Sequence, residues 1–152
     1  MSAPAPEELK AFLEQQLPGV TLSQDALALA VLPRDLADVC RVLKDTERFR
    51  FDYLSNLTAV DYPPDSIVVV YHLYSMHHRH GPLALKVTLP RSAPAVASVT
   101  PIWRAAEFQE REVYDLYGVT FEGHPDLRRI LMWDGFDGHP MRKDYVPEDQ
   151  NA

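Results

Sequence analysis

The sequence has 152 residues, 46% of them apolar, with 15 basic and 22 acidic side chains and a formal net charge of −7. That size and balance suit one globular domain with a real core. Residues 103–152 hold 6 basic against 11 acidic groups, which argues against a binder of phosphate backbones. No apolar run approaches the length of a membrane-spanning helix. The first residues lack the basic region and apolar core of a secretory leader. The single Cys40 rules out an internal disulfide and an iron–sulfur cluster held by this chain.

In chain order, Pro6 to Leu17 is expected to be a helix. Proline suits the first turn, Glu7 and Glu8 favour the positive end of the dipole, and Leu9, Phe12, Leu13 and Leu17 share a face. Val20 to Leu22 is a candidate short strand. Leu27, Leu29 and Val31, alternating with alanines, suggest another. Arg34 to Lys44 is expected as a second helix with Leu36, Val39, Cys40 and Leu43 inward, which makes Cys40 a small core residue rather than a reactive thiol.

Phe49 to Val60 has the composition of a strand, but Ser55-Asn56 interrupts its alternation. Ile67 to Tyr74 is apolar at successive positions, as in a central strand covered on both faces. Leu83, Leu85, Val87 and Leu89 alternate with Ala84, Lys86 and Thr88, which predicts a half-exposed strand. Met76 to Pro82 is the hairpin turn between them, with Gly81 in a conformation other residues avoid. Ser92 to Pro101, rich in Pro, Ser and Ala, is expected to be a connector. The sum is a two-layer α+β domain, helices packed on a largely antiparallel or mixed sheet. His77, His78 and His80, with His72 nearby, are read as solvated turn residues rather than zinc ligands, because the turn supplies no fixed geometry. The glycines form no dinucleotide or phosphate-loop fingerprint.

The last third carries the most information. At 100° per residue, Trp103, Ala106, Glu110, Val113, Tyr114 and Tyr117 share one helical stripe. Phe108 and Leu116 lie on the far side, with Glu112 and Asp115 between. Arg104, Glu107 and Arg111 make a solvated side. A carboxylate inside an apolar stripe is costly unless paired, so Glu110 is expected to meet Arg128 or Arg129, and failing those Arg142. Glu112 and Asp115 are then left for a basic patch on a partner. Gly118 stops the helix.

Residues 1–118 thus form the core and 119–152 an extended C-terminal arm. Pro and Gly punctuate the arm, yet Ile130, Leu131, Met132, Trp133, Phe136, Met141 and Tyr145 are too apolar for a disordered tail. The arm is expected to settle only against something else. His124 and His139 precede prolines in turns, and His124 reads as a structural hydrogen bond or a packed imidazole. No Ser, Cys or Lys nucleophile comes with a visible oriented base.

The run Glu110-Arg111-Glu112, then Asp115-Leu116-Tyr117, six intervening residues, His124, three more, and Arg128-Arg129-Ile130-Leu131 resembles the signature of the C subunit of respiratory complex I, the proton-pumping NADH:quinone oxidoreductase. Pro140-Met141-Arg142-Lys143-Asp144-Tyr145 resembles that family's ending. The resemblance is dense over 103–147; upstream, Phe51-Asp52-Tyr53-Leu54 and Thr58-Ala59-Val60-Asp61-Tyr62-Pro63 sit in the expected order.

It implies the same α+β fold and a non-catalytic structural subunit of the hydrophilic arm, peripheral on the cytoplasmic side of a bacterial inner membrane. It implies that the chain braces two neighbours, the quinone-site D subunit and the iron–sulfur B subunit. The signature residues implied to matter are Glu110, Arg111, Glu112, Asp115, His124, Arg128, Arg129, Arg142, Lys143 and Asp144. Flavin, iron–sulfur clusters, NADH and quinone would belong to other subunits, and no cofactor to this chain. Two alternatives stand beside it. One is the equivalent subunit of a ferredoxin-fed oxidoreductase or a membrane-bound energy-converting hydrogenase. The other is a free-standing hydrolase built on Glu110, His124 and Asp115.

Overall fold

The computed structural model describes residues 3–25 and 28–147. Helix α1 (Pro6–Gln16) opens on a proline with Glu7 and Glu8 in its first turn and buries Leu9 and Leu13. Phe12 meets Phe49 edge-on at 5.0 Å. Strand β1 (Leu22–Gln24) runs antiparallel to β2 (Ala28–Val31); Leu27 of the expected strand lies outside the described residues. A single 3-10 turn (Pro33–Asp35) leads into α2 (Leu36–Asp45), which buries Leu36, Val39, Cys40 and Leu43 as expected. Burial raises the Cys40 thiol's pKa far above its usual value, so it packs as a small hydrophobe.

Three long strands build the rest of the sheet: β3 (Tyr53–Tyr62), β4 (Ser66–Ser75) and β5 (His80–Pro90). The order is β1-β2-β5-β4-β3, antiparallel throughout except for the parallel β2–β5 pair. This is the expected α+β fold with a mixed sheet. The broken alternation at Ser55-Asn56 has a structural cause: the β3–β4 register shifts between Leu54 and Asn56, a β-bulge. The extra residue lets Leu54 and Leu57, three apart, both point inward.

β4 is central, as expected, but only one of its faces is covered. Ile67, Val69, Tyr71 and Leu73 lie opposite Leu89, Val87, Leu85 and Leu83 on the buried face. Val68, Val70, His72 and Tyr74 remain half-exposed on the other. Continuous apolar composition therefore overstated the cover.

Two further corrections concern the C-terminal half. The connector at 92–101 contains β6 (Ala95–Ala97), which pairs in parallel with β7 (Thr120–Glu122). Val119 and Phe121 are buried, so the regular fold runs past the expected boundary at Gly118. Between these strands lies α3 (Ala106–Tyr117). Trp103, placed by periodicity on the helix, sits before it and donates from Nε1 to the Phe51 carbonyl at 3.0 Å. Gln109 of α3 accepts from the Leu57 amide at 2.7 Å, tying the helix to β3 at the sheet's edge.

The hairpin tip is tighter and drier than its histidines suggested. His80 is buried, edge-on to Phe51 at 5.1 Å and stacked on His78 at 5.9 Å. Gly81 (φ +133°) admits no side chain, since a Cβ there would lie 2.7 Å from Tyr74 Cδ1. Burial, with the His78 ring as a lesser cause, lowers the His80 pKa below its ordinary 6.5. The unfolded chain therefore binds a proton that the folded chain refuses. Stability from this site is complete above 6.5 and is lost as pH falls through the lowered folded value. In thermal unfolding, wild type should lose ground to His80→Phe as pH drops below 6.5; a pH-independent gap between them would show that the ring titrates freely in the folded chain.

Candidate functional site: a helix that grips the C-terminal arm

Helix α3 has no basic residue in its last turn, and its C-terminal carbonyls need donors from elsewhere. The arm supplies them. Arg129 Nη1 and His139 Nδ1 reach the Asp115 carbonyl at 3.1 and 2.9 Å, and the Met141 amide donates to the Leu116 carbonyl at 2.9 Å. Gly118 closes the helix at φ +78°. It is required twice, because a Cβ there would also lie 2.8 Å from His139 Cδ2.

The side chains of α3 reciprocate. Asp115 is 0% exposed. Its carboxylate accepts from Arg129 Nη1 at 2.6 Å and from three consecutive amides, Ile130 at 3.2, Leu131 at 2.7 and Met132 at 2.8 Å. Burial alone would raise its pKa, but the amides and the guanidinium outweigh that and hold it below the usual carboxylate range. One turn earlier, Arg111 is 6% exposed and donates to the carbonyls of Arg128 and Arg129, both at 3.1 Å. Residues i and i+4 of one helix thus hold successive carbonyls and then successive amides of the same stretch of main chain.

A second clasp lies farther along. Asp61, buried on β3, accepts from Arg91 at 2.6 and 3.0 Å and from the Lys143 amide at 2.7 Å. The Arg91 hydrogen bond, helped by that amide, lowers its pKa. Arg142 pairs with Asp144 at 3.0 Å, and Asp144 also lies 3.6 Å from Arg91.

Several expectations are overturned here. Asp115 is not free for a partner, and Arg111 is not solvated. Glu110 is 0% exposed, as its stripe implied, but among the described residues it pairs with no arginine. Its carboxylate accepts from Ser98 Oγ at 2.6 Å and the Val99 amide at 2.8 Å. Arg128 pairs instead with Asp126 at the surface, and Arg129 with Asp115. Glu112 is exposed, as expected. The arm's main chain is hydrogen-bonded by α3 and β3 of its own chain.

His124 makes the structural hydrogen bonds expected of it. Nδ1 accepts from the Asp126 amide at 2.9 Å, so the ring proton sits on Nε2, which donates to the Glu107 carbonyl at 2.8 Å. Ser98, Glu110 and His124 are the hydroxyl, carboxylate and imidazole of a hydrolase by type, with His124 Nε2 4.0 Å from Glu110. Both ring nitrogens of His124 are engaged in hydrogen bonds, and the His124 and Glu110 side chains are fully buried. Sequence reasoning missed Ser98, Val99, Asp61 and Arg91; only Asp61, an acid in an apolar strand, left a signal.

Burial without a cation has a consequence at Glu110. Desolvation raises its pKa from 4.5 to about 7, against the hydrogen bonds from Ser98 and Val99. The folded chain keeps a proton that the unfolded chain has released. Stability from this group is full below 4.5 and is lost as pH rises through about 7. Glu110→Gln keeps the shape without the charge. It should match wild type near the acid end and exceed it by roughly 3 kcal/mol at about pH 8. Unfolding midpoints compared across that range decide it; an equal difference at every pH would contradict a buried carboxyl.

The fold and this internal grip define a class: a small α+β domain whose helix α3 and strand β3 hold its own irregular tail. Comparison with known proteins makes that class specific. Residues 29–151 match the family model described as respiratory-chain NADH dehydrogenase, 30 Kd subunit, and the chain belongs to that family. The C 2 subunit of the NADH-quinone oxidoreductase of Rhizobium meliloti (strain 1021) is 46% identical over 120 residues, covering 78% of this chain. The chain spans less than two thirds of that relative's length, 65%.

Two solved structures are similar. One is from the membrane-bound sulfane sulfur reductase, an archaeal respiratory membrane complex, with TM-score 0.74 and 26% identity over 92% of this chain and 85% of that one. The other is a trypsin-resistant fragment (1–134) of Nqo5, with TM-score 0.56 and 30% identity over 78% of this chain and 98% of that fragment.

Proposed function

We propose that this chain is a structural, non-catalytic subunit of a proton-translocating NADH:quinone oxidoreductase. In this reading it braces the quinone-site D subunit and the iron–sulfur B subunit, peripherally, on the cytoplasmic face of a bacterial inner membrane. The observation that carries the reading is the grip of α3 on the arm. Arg111, Asp115 and Asp61 are spent on the arm's main chain, which leaves its apolar side chains outward. Leu131, Trp133, Met141 and Val146 are exposed on a segment that is itself anchored. Such a surface suits adhesion to neighbours more than chemistry.

Family membership supports the parent assembly. No helix among the described residues is long and apolar enough to cross a membrane, which agrees with contact through other subunits. Redox groups belong to those subunits in this reading, since the one thiol is buried in the core and cannot supply a cluster's ligands. The likeness to the archaeal complex favours a second reading, the equivalent subunit of a related membrane-bound assembly.

Co-purification of the tagged chain from its native membranes separates these readings. The D and B subunits should accompany it, with NADH:quinone activity in the same fraction and none in the isolated chain. Recovery with hydrogenase subunits would favour the second reading. Recovery of the chain alone, or NADH oxidation by the chain alone, would defeat the first.

A further inference from the structure

Beyond the two clasps the arm carries an aromatic ladder. The Arg129 guanidinium lies over the Phe136 ring at 5.5 Å, Phe136 stacks on Tyr145 at 6.0 Å, and Trp133 meets Phe136 edge-on at 4.9 Å. Arg129 is fixed to Asp115 at 2.6 Å and to the Gly138 carbonyl at 2.7 Å, so the ladder is tied to α3. Trp133 stands at the free end, 67% exposed, with Leu131 two residues before it at 58%. An indole held in place by its own chain yet left in water has little conformational freedom to lose on binding. That combination of area and preorganisation marks the residues that dominate interfaces.

Charge narrows the partner. Arg128, Arg129 and Arg142 are occupied by Asp126, Asp115 and Asp144. Asp134, which follows Trp133 in sequence, and Asp137, which follows Phe136, are exposed and make no ion pair among the described residues, against one exposed lysine of the arm, Lys143. Unpaired carboxylates on the stretch that carries the exposed indole are repelled by an anionic bilayer and by nucleic acid. They are attracted by lysine and arginine on a protein.

We propose that Trp133, followed in the chain by the exposed Asp134 and Asp137, seats in an apolar groove of a neighbouring protein subunit whose rim carries lysines or arginines. The proposal rests on the arm being a docking element and names what its partner must present. Trp133→Ala and the double variant Asp134→Asn/Asp137→Asn, expressed as the full chain in native membranes, test it through the fraction retained in the assembly across a salt series.

Trp133→Ala should lower retention roughly tenfold or more. The isolated variant should unfold at the wild-type temperature, because the side chain lies mostly in water. The double variant should be retained less at low salt and respond less to added salt. Wild-type retention of Trp133→Ala, or a wild-type salt curve for the double variant, overturns the proposal while leaving the docking reading intact. So does binding of the isolated wild-type chain to phosphatidylserine vesicles that Trp133→Ala abolishes. Failure of the wild-type chain itself to be retained would overturn both.

Discussion

The C-terminal arm depends on one carboxylate. Asp115, sealed inside the protein, gathers three successive amides and a guanidinium, and so fixes the path of the chain from Arg129 to Met132. Irregular backbone cannot satisfy its own polar groups, and burying them unpaired is costly. Arg111 answers the carbonyls one step earlier, and the arm in turn answers the open carbonyls of α3. Helix and arm thus complete each other's hydrogen bonding, which is why a segment with so many prolines and glycines follows a defined course. Removing the carboxylate would leave buried donors without an acceptor, a loss on the order of 1–3 kcal/mol for each group left so.

Three buried acids in this fold meet different surroundings and behave differently. Asp115 and Asp61 face arginines and amides and are held below the usual carboxylate range, so their contribution is present at neutral pH and fades on acidification. Glu110 faces a hydroxyl and one amide and pairs with no arginine or lysine among the described residues, so burial wins and its pKa rises to about 7. Opposite slopes of stability with pH therefore come from one helix, one turn and a fraction apart. The Glu110 carboxyl and the His124 ring are both engaged by partners within the chain.

How much of this was legible in the sequence follows from the kind of partner each residue found. Periodicity located α1, α2, α3 and the core strands, because each buries one face. It located the burial of Glu110 for the same reason. It failed on Asp115 and Arg111 because their partners are main-chain groups, which every residue carries and no composition announces. Ser98 and Val99 were hidden in a stretch rich in Pro, Ser and Ala, whose three-residue strand is too short for alternation to register. The bulge at Ser55 broke the period that would have marked Asp61 as inward-facing. Of the signature residues, Arg111, Asp115 and Arg129 join α3 to the arm, whereas Glu110 and His124 bond elsewhere and Glu112 is exposed.

Amide hydrogen exchange in the isolated chain tests that grip most directly, at Ile130, Leu131 and Met132, in wild type and in Asp115→Asn. Leu131 and Met132 should be clearly protected in wild type and lose that protection in the variant, with the amides of β4 unchanged in both. Unprotected exchange at these positions in the wild-type protein, or equal protection in Asp115→Asn, would mean that the carboxylate does not hold the arm.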